Sequence, residues 1–237
     1  MRVAALYDIH GNLPALEAVL GDVERDATIV VGGDGIMGPW PRETLERLQA
    51  LGGRAQWVRG NADRELVHPS PPREGGPPQE VTAWVRAQLS EDDLAFLEAL
   101  PLTLALAVDG VGDVLFCHAT PRDDEELLTR ISPDARWLDA IAETNERTVV
   151  CGHTHVQFDR TVGATRILNA GSVGMPYENE PGAYWLELGP GVVHRRSAYD
   201  VDAAARAIAA VGWPEEWPAA TPEDATEFFE RMSRERA

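Results

Sequence analysis

Seven side chains able to ligate a metal, Asp8, His10, Asp34, Asn61, His118, His153 and His155, fall just after runs of residues that read as β-strands. Ligands of open α/β sheets collect beyond the carboxyl ends of strands, so five separate loops would deliver these groups to one edge. Asp8-Ile9-His10 reads as extended backbone, where alternate side chains share a face, and both can then reach one cation. His153-Thr154-His155 repeats the spacing within a loop and can splay to two neighbouring cations. Asp34, after Gly32 and Gly33, has two carboxylate oxygens with which to bridge, and the Asn61 amide oxygen and the His118 imidazole would complete a second site. Mixed nitrogen and oxygen donors suit manganese, iron or zinc better than an all-oxygen magnesium cage. Taken singly, each residue has a plain structural or surface reading; the joint pattern is what points to a two-metal centre.

The elements that must position these groups are legible from periodicity. Val3 to Tyr7 is an apolar strand, and Leu13, Leu16, Val19 and Leu20 follow at helical spacing, with Asn12 as a cap and Pro14 in the first turn. Thr28 to Val31 reads as a strand, Gly32 to Pro41 as a loop, Glu43 to Leu51 as an amphipathic helix, and Ala55 to Val58 as a third strand leading into Arg59-Gly60-Asn61. This alternation implies parallel pairing. The proline- and glycine-rich stretch His68 to Pro78 predicts a flexible surface loop. Helices are predicted at Gln79 to Leu89 and at Glu91 to Leu100, the second opened by Ser90 with Asp93 three residues on.

From Leu102 the character changes, and a second sheet begins. Leu102 to Val108, the Asp109-Gly110 turn and Val111 to Cys117 read as a hairpin. A helix opens at Ser132 and Pro133 and runs to about Glu143. Strands are predicted at Thr148 to Cys151, Phe158 to Val162, Arg166 to Leu168, Tyr184 to Leu188 and Val192 to Ser197. Peripheral helices at Val201 to Ala210 and Pro222 to Arg234 complete the pattern.

With 237 residues, 44% of them hydrophobic, the chain is long enough for one α/β domain spanning 1–237. Within it, residues 64–100 form a loop and helical excursion and residues 200–237 the peripheral helices. No apolar run approaches the roughly 20 residues of a membrane span, and the amino terminus lacks a signal-peptide pattern, so a soluble cytoplasmic protein without a membrane partner is expected. Cys117 and Cys151 each close an apolar run, which fits reduced strand residues better than a disulfide. The formal charge of -18 repels polyanions, which argues against long nucleic acid and accommodates a small phosphorylated substrate more easily. Most of the carboxylates read as a solubilising surface. Oligomeric state is left open.

The ordered set Asp8-Ile9-His10-Gly11-Asn12, Gly33-Asp34, Gly60-Asn61, His118 and Gly152-His153-Thr154-His155 resembles the calcineurin-like metallophosphoesterase superfamily over residues 8 to 155. Asn169-Ala170-Gly171-Ser172-Val173-Gly174 resembles the Gly-Ser-rich turn of its small bacterial and archaeal branch. The resemblance implies an α/β fold, a two-sheet αββα sandwich with a short helical excursion after the third strand. It places Asp8, His10, Asp34 and His155 on one cation and Asp34, Asn61, His118 and His153 on the other. It implies a metal-dependent phosphoric ester hydrolase, a phosphodiesterase or phosphatase for a small ester or nucleotide, with manganese foremost and iron, zinc, nickel or magnesium as alternatives. A metal-binding, non-catalytic interaction scaffold of the same fold is the competing reading.

One departure stands out. Much of the superfamily has histidine after Gly-Asn, as proton donor to the leaving group; this chain has Ala62 and then Asp63. In the expected reaction a hydroxide held between two cations, roughly 3.5 to 4 Å apart, attacks phosphorus. Asp8, Asp34, Asn61, His118 and His153 form the catalytic set, and either Asp63 or a metal-bound water replaces the missing acid, or the leaving group needs little help. Asn12 and the Gly11 backbone are candidates to orient the phosphate, although a helix cap explains Asn12 equally well. Arg64 is a candidate for a charge-assisted bond to phosphate, against the plain reading of a surface arginine. Trp40, in the loop Gly35 to Pro41, is a candidate apolar wall, against simple packing; His68 and His194 read as surface residues.

Overall fold

The computed structural model describes residues 1–72, 78–214 and 220–235. Of the expected His68 to Pro78 loop, residues 73–77 lie outside the described residues. The chain runs β1 (Val3–Leu6), α1 (Leu13–Asp22), β2 (Thr28–Val31), α2 (Pro41–Gln49), β3 (Ala55–Trp57), α3 (Asn61–Val67), α4 (Gln79–Arg86) and α5 (Glu91–Glu98). It continues with β4 (Thr103–Val108), β5 (Gly112–Cys117), α6 (Asp134–Ala140), β6 (Thr148–Cys151), β7 (Phe158–Val162) and β8 (Thr165–Asn169). It ends with β9 (Ala183–Leu188), β10 (Val192–Ser197), α7 (Val201–Ala210) and α8 (Pro222–Glu235).

Two five-stranded mixed sheets result, ordered β10-β9-β1-β2-β3 and β4-β5-β6-β8-β7. The strand period of two decides the layers. Val3, Ala5 and Tyr7 join Val30 and Val58 against Val114, Phe116, Val150 and Leu168 of the second sheet, forming the core between the sheets. The alternate residues Ala4 and Leu6, with Ile29 and Val31, instead pack under Ala15, Leu16 and Val19 of α1. On the opposite side, Cys117, Val149, Cys151 and Ile167 pack under Trp137 and Ala140 of α6. Helix, sheet, sheet and helix therefore stack in that order, and the α/β sandwich is the one expected.

The parallel pairing of β1 with β2 and of β2 with β3 follows from the α1 and α2 crossovers. Periodicity did not reveal that β9 returns to the first sheet, antiparallel to β1. α3 was also unforeseen: Asn61 is its first residue rather than part of a loop. α3, α4 and α5 share a separate core of Ala62, Leu66, Val81, Val85, Leu94 and Leu97, to which the Asp34 loop adds Ile36 and Met37. α8, expected as a peripheral helix, is anchored along one face. Ala225, Thr226, Glu230, Met232 and Ser233 are buried along one of its faces, Thr129 and Ser132 donate to Glu230, and Ser233 Oγ donates to the Leu127 carbonyl at 2.9 Å. Among the described residues no helix is long and apolar enough to cross a membrane.

Candidate metal centre

The seven predicted residues meet at one edge of the sandwich. Asp8 and His10 follow β1, Asp34 follows β2, Asn61 opens α3 beyond β3, His118 follows β5, and His153 and His155 follow β6. Both sheets thus contribute. Asp8, His10 and His155 form one group of close donor atoms, and Asp34, His118 and His153 form another. Asn61 joins the second group, its Oδ1 standing 3.1 Å from His118 Nε2.

The backbone there differs from the expected form. Asp8 and His10 are not extended: their φ angles are 51° and 47°, and Asp34, His153 and His155 are also left-handed, at 54°, 65° and 56°. Among the described residues these five are the non-glycine residues with positive φ. Each such residue costs on the order of 1 to 3 kcal/mol and persists only where its surroundings hold it. The holding bonds are visible: Asp8 N–H donates to Gly33 O at 3.1 Å, His10 N–H to Asp34 O at 2.9 Å, and His153 N–H to Asp8 Oδ2 at 2.8 Å. The shared face of Asp8 and His10 therefore comes from successive left-handed turns, not from strand alternation. Glycine is needed at Gly60 and Gly152 because a Cβ would overlap the carboxylate of Asp34 at the first and of Asp8 at the second.

Ring orientation is set by backbone carbonyls. Nδ1 of His10, His118 and His155 lies 3.2, 2.9 and 2.7 Å from the carbonyl oxygens of Met37, Gly32 and Met175. A carbonyl oxygen only accepts, so each Nδ1 carries a proton, and each Nε2 is turned into the cluster. His10 Nε2 and His155 Nε2 face each other at 3.2 Å.

Two buried atoms of the cluster lack a hydrogen-bond partner. Asp8 Oδ1 and His153 Nε2 are buried without a hydrogen bond, yet Asp8 Oδ1 lies 3.3 Å from His155 Nε2 and 3.8 Å from both His10 and His118 Nε2. Orphaned buried acceptors are expensive, and a cation is the partner that satisfies several at once. Burial raises the Asp34 pKa, but His118, then His10 and His153, outweigh it and hold the carboxyl well below the usual range. Burial likewise opposes ionisation of Asp8, and the neighbouring His155 and His118 outweigh it. Burial lowers the His118 pKa, yet Asp34 and Asp8 lift it to about 10. His153 is driven by burial and by His118 down to about 4, so it stays neutral. Two ionised carboxylates among imidazoles form a donor set that fits divalent cations.

The other candidates have different surroundings. Asp63, offered as a proton donor, is buried, and its oxygens accept from the N–H groups of Asp34 at 2.9 Å, Gly35 at 3.3 Å and Gly60 at 3.0 Å. It anchors the Asp34 loop, while burial and the charge of Asp34 raise its pKa to about 7. Asn12 is likewise taken up by the fold: its amide oxygen caps α1 by accepting from Ala15 N–H at 3.2 Å, and its amide group donates to Gly174 O at 2.9 Å. Arg64 is paired with Asp124 at 3.1 Å and Glu125 at 3.0 Å. Ala62 is buried, and its N–H donates to Asp34 Oδ1 at 2.7 Å. His68 is exposed beside Glu98, whereas His194 is half-buried against the Asn169 carbonyl.

The Gly-Ser-rich turn Asn169 to Gly174, noted in the sequence by resemblance, supports the site after β8 through bonds that the sequence did not show. Ser172 Oγ donates to the Asp8 carbonyl at 2.7 Å, and Asn169 Nδ2 donates to Gly152 O at 2.6 Å. Tyr177 stacks on His155 with ring centroids 5.0 Å apart. Tyr177, three residues beyond that motif, carried no signal of its own in the sequence.

The fold has counterparts among known proteins. The model of the calcineurin-like phosphoesterase superfamily domain matches residues 1–188. The chain belongs to that superfamily. A metallophosphoesterase from Sphaerobacter thermophilus superposes with a TM-score of 0.70 at 26% identity, covering 97% of this chain and 98% of that one. A hypothetical protein from Pyrococcus horikoshii OT3 gives 0.75 at 20% identity, with 96% and 97% covered. An uncharacterized protein of Methanocaldococcus jannaschii is 27% identical over 191 residues, 79% of this chain and 74% of its own length. The superfamily is one of hydrolase-type chemistry and divalent-metal binding in general terms, and the two donor clusters are candidate metal-ligand groups.

Proposed function

We propose that this chain is a dinuclear-metal phosphoesterase that hydrolyses a small phosphate ester or nucleotide, with manganese the first metal to test. The observation that carries the reading is the pair of donor clusters in which Asp8 Oδ1 and His153 Nε2 are buried without hydrogen-bond partners. Asp8, His10 and His155 are assigned to one cation and Asn61, His118 and His153 to the other. Asp34, whose Oδ2 lies 3.4 Å from His118 Nε2, is assigned to both, as the family resemblance implies. When bound, two cations would supply Lewis acidity toward a phosphoryl oxygen and would acidify a water.

The chain's own part is positioning. Carbonyl-locked imidazoles and left-handed turns fix the donors before substrate arrives, so little reorganisation is left for the reaction. Proton donation to the leaving group is weakly provided, since Ala62 has no proton to give and Asp63 is engaged by backbone N–H groups. Activated diesters should therefore be turned over faster than alkyl monoesters. The charge of -18 favours a small substrate over long nucleic acid. Two buried free thiols, Cys117 and Cys151, fit a reducing compartment such as the cytoplasm.

The test is a substrate panel on manganese-reconstituted protein beside Asp34→Asn. We expect the variant to lose more than the roughly 100-fold that an outer-shell change costs. Equal turnover by the variant, or by chelated wild type, would overturn the reading.

A further inference from the structure

α8 lies beyond residue 188, where the superfamily match stops, yet it leads back to a metal-ligand candidate. Tyr177 lies nearly parallel to the imidazole of His155, at an interplanar angle of 21°. Phe229 of α8 packs on Tyr177 with centroids 6.2 Å apart. The same turn holds His155 through the backbone twice: Tyr177 N–H donates to His155 O at 3.1 Å, and His155 Nδ1–H donates to Met175 O at 2.7 Å. α8 is itself fixed, because buried Glu230 accepts from Thr129 Oγ1 at 2.6 Å and Ser233 Oγ donates to Leu127 O at 2.9 Å. An imidazole hydrogen-bonded at Nδ1 alone can still swing about that bond. A ring laid on its face stops the swing, and a second ring packed against the first limits the first ring's own movement.

We propose that α8 is part of the metal centre and that Tyr177 is a positioning residue: Phe229 holds Tyr177 flat on His155, which aims Nε2 at the cation shared with Asp8 and His10. This rests on reading the two clusters as a dinuclear site, and it adds a dependence on a helix outside the family match. The inference concerns one cation only. The second cluster, with Asp34, His118 and His153, has no ring contact with Tyr177 or Phe229 among the described residues.

The experiment is manganese titration of the full chain, followed by the paramagnetic resonance of free ion, together with cobalt absorption as a report on ligand geometry. Wild type should bind two ions. Tyr177→Ala and Phe229→Ala should weaken one of the two sites by about tenfold or more and shift its cobalt bands, leaving the other site unchanged. Tyr177→Phe, which keeps the ring, should match wild type in both readouts. Should either alanine variant melt far below wild type, Phe229→Leu keeps the bulk without the ring and should weaken the same single site. Two unchanged sites in the variants, or equal weakening of both, would overturn the positioning role. Failure of wild type to bind any ion would overturn the dinuclear reading and this inference with it.

Discussion

Asp63→Ala separates an anchor from an acid. In the structure the carboxylate accepts from Asp34 N–H at 2.9 Å and Gly60 N–H at 3.0 Å, with a longer bond from Gly35 at 3.3 Å. Hydrogen bonds to a charged acceptor contribute about 1.5 to 3 kcal/mol each, so the two short ones amount to about 3 to 6 kcal/mol. Against this, the Asp63 pKa is raised to about 7, so its charged form is itself disfavoured by burial and by Asp34, and deletion relieves that cost. The net loss should lie at the lower end, about 3 kcal/mol, which for a chain of this size is a fall in Tm of about 6 to 12 °C. The assay is thermal unfolding of chelated protein by circular dichroism at neutral pH. Because Asp34 sits at a φ of 54° and relies on this anchor, manganese affinity should fall as well. A variant that melts within 2 °C of wild type but loses turnover mainly on esters with poor leaving groups would refute the anchor and restore the proton donor.

Gly60→Ala should destabilise the protein by about 1 to 3 kcal/mol and weaken metal binding, because the new Cβ overlaps Asp34. Gly21→Ala, at a helical position with nothing within 4 Å, should instead gain about 0.5 to 1 kcal/mol, and urea titration of both variants checks the contrast. The His118 pKa is raised from 6.5 to about 10, so its contribution to stability is complete below 6.5 and is lost as pH rises toward 10. Chelated protein should therefore lose stability from about pH 7 upward, and His118→Asn should lack the loss between about pH 7 and 8. Burial also raises the Cys117 and Cys151 thiols, which costs stability only as pH passes about 8.5, so persistence of the loss between about pH 7 and 8 in the variant would refute the assignment.

Most strands and helices were legible because burial on one face imposes a period of two or 3.6, and the ligand candidates were legible because each followed a strand. The sequence could also suggest, by resemblance, that both sheets serve one centre. It could not show that β9 returns to β1, since antiparallel pairing across a long connection leaves no local mark. Nor could it show how Asp8 and His10 share a face. Strand alternation and paired left-handed turns place residues i and i+2 alike, and only the bonds from Asp8 N–H to Gly33 and from His10 N–H to Asp34 select the turns. The surroundings of Asp63, Asn12 and Arg64 became visible the same way. Each residue type can serve a ligand or the fold, and which it does depends on the donors and acceptors that distant segments bring within reach: backbone N–H groups for Asp63, Ala15 and Gly174 for Asn12, and Asp124 and Glu125 for Arg64.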